Sequence, residues 1–223
     1  MPRMSVNKLG EYLVTTSPTR RRRIINDQKH PKGSVVPLYR LADEPLNEFL
    51  TGGWDPRAID RAVVQLRSDV SGSDWAINDR KNTADALDAF LALSGKVPRE
   101  DVVFSQGADH PPHLRIKGLD VSVRPQFLLR FEHRGVSCVG AMKLHFTKSA
   151  ESALERKGGE YVATLLHRWL IEHGPRGCKV MPSHCLSVDV FRKEVVPAPA
   201  ATARRMADVA AACEEIDAHW QQI

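Results

Sequence analysis

Two short stretches carry the residue types that do chemistry. Leu119-Asp120-Val121-Ser122-Val123 and Val139-Gly140-Ala141-Met142-Lys143-Leu144-His145-Phe146 both read as strands, and strand side chains alternate between faces. Alternation puts Asp120 with Ser122 on one polar face. It puts Lys143 with Ala141 and His145 on another, and turns Met142, Leu144 and Phe146 away. A carboxylate on a strand can hold a hard divalent cation, and a neighbouring ammonium can steer phosphate or an attacking water. The position two residues before the lysine, where a second carboxylate would complete the set, is Ala141. The spacing predicts half of a metal-assisted hydrolytic site.

Mg²⁺ takes oxygen ligands in near-octahedral geometry, commonly one or two carboxylates besides water and substrate phosphate. Asp120 alone holds it poorly, so the second acid must come from another element. Glu160 is best placed, on the helix expected after the sheet, whereas Glu132 falls at a predicted turn. Asp120 and Glu160 are therefore the candidate metal ligands, with Lys143 beside them and Mg²⁺ as the cofactor if the site is active. His173, Cys178, His184 and Cys185 offer softer ligands. Structural zinc sites show paired short spacings, however, and adjacent His184 and Cys185 face opposite sides of a strand. His110-Pro111-Pro112-His113 lacks an acid and reads as an exposed loop. No GxSxG elbow, P-loop or GxGxxG pattern occurs, so neither serine hydrolase nor nucleotide-dependent chemistry has a sequence signature.

The elements that must position these residues follow from periodicity and punctuation. A short helix over 4–15 is closed by Ser17-Pro18, and a charged turn and a Pro/Gly connector follow. A second helical stretch spans about Pro37–Leu50 and stops at Gly52-Gly53. Asp55 as N-cap and Pro56 at the first position open a third helix, with Ile59, Val63 and Leu66 as its stripe. A fourth covers roughly Thr83–Leu93. Near Pro98 the pattern changes to strands: Val102–Phe104, Leu114–Val123, Phe127–Phe131 and Val136–Phe146, with Gly135 at a hairpin turn. Val162, Leu165, Leu166, Trp169 and Leu170 restore helical spacing. A strand over about Leu186–Phe191 and a last helix with Met206, Val209, Cys213, Ile216 and Trp220 on one stripe complete the chain. This order predicts an α/β fold (α+β being the variant) with a mixed central sheet flanked by helices. Its parts are a helical portion over 1–97, a strand-rich core over 98–197 and a C-terminal helix over 198–223, within one compact domain.

Composition narrows the partners. The 223 residues include no apolar run near the ~20 that span a membrane and no signal-peptide core, and the four cysteines form no CxxC pair. A reduced, cytoplasmic protein with no membrane role is expected. The net charge is +5. It is concentrated at the start, where Arg3, Lys8, Arg20, Arg21, Arg22, Arg23, Lys29, Lys32 and Arg40 face only Glu11 and Asp27. Clustered cations attract polyanions by counterion release. Arg20, Arg21, Arg22, Arg23, Lys29 and Lys32 are thus the candidate nucleic-acid contacts, joined by Arg124 and Lys143. Only 6% of residues are aromatic, too few for a broad base-stacking platform.

The order helix, strands, helix, strand over residues 82–192, with Asp120 in one strand and Ala141-Met142-Lys143 at an acid-x-Lys position in the next, resembles the PD-(D/E)XK nuclease-like superfamily. The resemblance implies that Asp120 and Lys143 mark an ancestral site and that the helix bearing Tyr161 follows it. It further implies a nucleic-acid-associated protein with a degenerate nuclease-like core, acting in genome defence or mobile-element biology. Two alternatives stand beside it. One is a non-catalytic interaction or self-associating module working through the Met206–Trp220 stripe. The other is an active Mg²⁺-dependent nuclease with a relocated acid.

Overall fold

The computed structural model describes residues 1–31 and 39–222. Lys32 and the start of the helix expected from Pro37 lie outside them. The protein has an α/β fold, with sheet flanked by helices.

Two sheets are present among the described residues. The larger runs in the order β2 (Val103–Gln106), β5 (Phe127–His133), β6 (Val136–His145), β7 (Lys179–Asp189), β8 (Glu194–Pro197). All its neighbours are antiparallel except β6 and β7, which are parallel and joined through α6 (Glu155–His173). The smaller sheet sets β4 (Leu119–Ser122) between β1 (Arg3–Ser5), parallel to it, and β3 (Leu114–Ile116), antiparallel. Positive φ at Lys117-Gly118 and at Arg134-Gly135 closes the β3–β4 and β5–β6 hairpins as two-residue turns.

The single mixed sheet expected from the sequence is therefore divided, and Asp120 and Lys143 stand on different sheets. The reason lies in the edges of β4. Residues 3–5, which overlap the start of the helix expected over 4–15, form a strand that takes one edge, and β3 takes the other. No β4 edge remains for β6 to pair with.

Both faces of the larger sheet are covered. On one, Leu129, Met142, Leu144, Leu186 and Val188 pack against α3 (Asp43–Thr51), α4 (Arg57–Ser68) and α5 (Asp74–Leu93) through Phe49, Ile59 and Phe90. On the other, Val139, Ala141 and Cys185 meet α1 (Val6–Val14), α6 and the smaller sheet. The face shared by Ala141, Lys143 and His145 is thus no open polar surface: Ala141 is fully buried and His145 nearly so.

Helix starts account for the differences from the sequence reading. Ser17-Pro18 ends α1 and also begins α2 (Pro18–Lys29): Ser17 Oγ accepts from Arg20 N at 3.4 Å, and proline occupies the first helical position. The arginine run is therefore helical instead of a turn. Ser73 caps α5, which begins at Asp74, nine residues before the expected Thr83, over a stretch without an apolar stripe. The last helix, α7 (Ala203–Trp220), docks on the body. Val209, Cys213 and Ile216 are fully buried in the chain's own core, with Met206 and Trp220 packed at its margin. Docking on the body is the commoner use of such a stripe and the one found here, and the alternative of a dimer or partner seam is left with little apolar surface.

Candidate anion-binding cleft

Lys143, near the end of β6, opens onto a polar cleft of about 440 Å³. β1 contributes Arg3 and Ser5, α1 contributes Asn7, and α2 contributes Gln28. Ser122 comes from the end of β4, and Arg124 from just beyond it. Among the described residues, three cations and no carboxylate line this space.

Local hydrogen bonds fix the walls. Ser5 Oγ caps α1 by accepting from Lys8 N at 3.3 Å, and Ser5 N donates to Gln28 Oε1 at 3.1 Å. Asn7 Nδ2 donates to Leu144 O at 3.2 Å, which ties the first turn of α1 to β6. That bond orients the amide, and the buried Asn7 Oδ1 is left without a partner. With Ser5 and Asn7 in the wall, α1 begins at the cleft, so its positive dipole end adds to the side-chain charge.

Lys143 Nζ donates to Arg124 O at 2.6 Å. Burial and then the neighbouring Arg124 charge lower its pKa from 10.5 to about 8, against a smaller opposing effect of Asp43. A lysine lowered by burial beside a second cation carries a charge that Asp43 offsets only in part. Next to this cleft and sharing Arg124 lies a smaller one, about 160 Å³, that holds Asp43 and Asp109. The Asp43 carboxyl is raised by partial burial, lowered by Lys143 and Arg40, and raised by Asp109.

The other expected site residues go elsewhere. Asp120 follows the alternation, half-buried between the buried Leu119 and Val121. Its Oδ2 lies 3.9 Å from His113 Nδ1 and its Oδ1 lies 3.5 Å from Arg115 Nε, so cations and a histidine surround it. Glu160 is bound to Arg205 of α7 and lies 3.7 Å from Arg156. The structure links Asp120 to the cleft, through His113 and Arg3, and gives Glu160 no partner there. Among the described residues no group of three or more His, Cys, Asp or Glu is arranged to hold a metal. Ala141, at the acid-x-Lys position, is fully buried against the α6 side of the core.

The arginine run is divided by its helix. Arg20 reaches inward to the buried Glu11, which Lys8 also holds at 2.7 Å, and to Ser152 Oγ at 2.8 Å. Arg21 donates to Thr15 O at 2.8 Å, lies over the Tyr12 ring and faces Glu215 of α7. Lys29 Nζ donates to Trp220 O at 2.7 Å. Arg22 and Arg23 stay exposed, with Asp27 3.8 Å from Arg23. Half of the expected phosphate stripe is thus internal bracing between α1, α2 and α7.

Arg3, Ser5, Asn7 and Gln28 are the cleft residues that sequence reasoning did not single out. Arg3 was visible only as one of nine early cations. Its pairing with β4 and nearness to Lys143 depend on chain segments more than a hundred residues apart. No protein-family model matches the chain, and no curated protein matches it.

Proposed function

We propose that this protein binds the phosphate backbone of nucleic acid in the cleft formed by Arg3, Arg124 and Lys143. The observation that carries the reading is the convergence of these three cations, from β1, the β4 exit and β6, on one open space with no acid in its lining. Bringing like charges together costs free energy that a polyanion returns on binding. Arg115, exposed on β3, extends the positive surface beyond the cleft. In this reading the cleft binds without cleaving: Asp120 and Lys143 stand on different sheets, and buried Ala141 occupies the acid-x-Lys position.

The test is binding of labelled DNA and RNA oligonucleotides across a salt series. Three phosphate contacts correspond to a slope of log Kd on log salt of about 2–3. Arg124→Ala is expected to lower that slope by about 1. Binding that survives in Arg124→Ala and is lost in an Arg22→Ala/Arg23→Ala variant would move the site to α2 and overturn the reading.

One observation favours a second reading, a Mg²⁺-dependent nuclease with a relocated acid: Asp43 and Asp109 line the adjoining cleft that shares Arg124 with the first. Mg²⁺ in the same tubes decides it. Cleavage lost in Asp43→Asn supports this reading, and intact oligonucleotide with Mg²⁺ excludes it.

A further inference from the structure

We propose that His113 and Asp120 are positioning residues that hold the Arg3 guanidinium ready in the anion cleft. The inference rests on that cleft being the binding site.

Strand register brings the groups together. Asp120 on β4 is directly paired with Arg3 on β1 and with Arg115 on β3, so the three form one rung, Arg–Asp–Arg, across the smaller sheet. His113, two residues before Arg115, falls on the same face by alternation. Its backbone is fixed from both sides. Trp169 Nε1 of α6 donates to Pro112 O at 2.8 Å, and β3 begins at Leu114.

The hydrogen-bond roles then follow from chemistry. Arg3 donates to His113 Nε2 at 3.1 Å. Guanidinium has no acceptor, so Nε2 must carry the lone pair and the neutral ring must carry its proton on Nδ1. Nδ1 is the atom that faces Asp120 Oδ2 at 3.9 Å, longer than a hydrogen bond but close enough for the carboxylate to favour a proton there. Asp120 thus selects the tautomer, the tautomer leaves Nε2 free to accept, and Nε2 holds Arg3. The carboxylate that resembles a metal ligand in sequence serves as the anchor of an arginine. The His-Pro-Pro-His loop supplies the link.

An arginine free in solvent loses much of its rotamer freedom when it clamps a phosphate, and a held one has already lost it. Removing the acceptor is therefore expected to weaken binding without removing any cation from the cleft.

The experiment has two readouts on the full chain. The first is the ¹⁵N pattern of the His113 ring near neutral pH in the unliganded protein. The Nδ1–H tautomer is expected, shifting toward Nε2–H in Asp120→Ala. The second is the affinity for a short labelled single-stranded DNA. His113→Ala is expected to weaken it about tenfold, the scale of a hydrogen bond to a charged group. His113→Gln, whose amide oxygen reaches the place of Nε2, restores it, and His113→Asn, whose side chain is too short, does not. In an Arg3→Ala background His113→Ala has no further effect. An Nε2–H ring in the wild type, or losses that simply add in the double variant, would overturn the relay. If the wild type binds no oligonucleotide, the cleft reading fails and, with it, the positioning role; the tautomer then still decides whether the ring holds Arg3 as described. His113→Gln and the wild-type spectrum keep the question decidable should His113→Ala fold poorly.

Discussion

Replacing Lys143 with methionine is expected to make the unliganded protein more stable near neutral pH while weakening its anion binding. The ammonium sits beside Arg124 with its pKa lowered from 10.5 to about 8, chiefly by burial. At 1.36 kcal/mol per pH unit that corresponds to about 3 kcal/mol of destabilisation carried by the charged form. The side chain is part-exposed, and solvent screening reduces the figure to about 2 kcal/mol. Methionine also forfeits the bond to Arg124 O, worth about 1 kcal/mol. The net is about 1 kcal/mol in favour of Lys143→Met at pH 7. The sign with pH is defined. Between pH 8 and 10.5 the unfolded chain holds this proton more tightly than the native one, so wild-type stability rises with pH relative to the variant. By pH 10.5 the difference should invert, since the neutral amine keeps its hydrogen bond. Urea denaturation of both proteins across pH 7–10.5 measures this, in buffers free of phosphate and sulfate, because a bound anion would stabilise the wild type alone. A difference that stays constant over that range would refute the claim that Lys143 carries a charge offset only in part.

Two further outcomes follow from the same geometry. Ala141→Glu, which restores the acid-x-Lys spacing, places a carboxylate at a fully buried position and is expected to cost at least about 3 kcal/mol. A folded variant by thermal melt that cleaves DNA with Mg²⁺ would contradict the packing assigned to Ala141. Within the arginine run, Arg20→Ala removes a partner of the buried Glu11 and is expected to cost about 2–3 kcal/mol, whereas Arg23→Ala costs less than about 0.5 kcal/mol. Equal urea midpoints for the two variants would mean that Glu11 is held well enough by Lys8 alone.

Local signals were read well where they depend on neighbours in the chain. The alternation of β4, the Gly135 hairpin and the apolar stripe of α7 all appear as the sequence indicates. Ser17-Pro18 shows how such a signal can be half read, because a Ser-Pro pair both ends one helix and begins the next. The extra half of α5 was missed for a different reason. Its first turns carry Trp75, Ala76 and Ile77 in a row, without helical spacing, so only the Ser73 cap marks them.

What the chain determines by itself is each residue's local setting: which side chains share a strand face, where helices start and stop, and that positive charge is concentrated early. Those depend on backbone sterics and spacing, which act over a few residues. Only the tertiary structure decides which of the cations are spent and which are left over. Glu11, Glu215 and the C-terminal carbonyl of α7 take up Arg20, Arg21 and Lys29. β1 pairing with β4 brings Arg3 from the other end of the sequence to Arg124 and Lys143. Strand pairing at long range also gives Asp120 to the smaller sheet, and so turns an apparent metal ligand into the neighbour of a histidine. Electrostatic roles depend on distance in space, and no periodicity in the sequence encodes that distance.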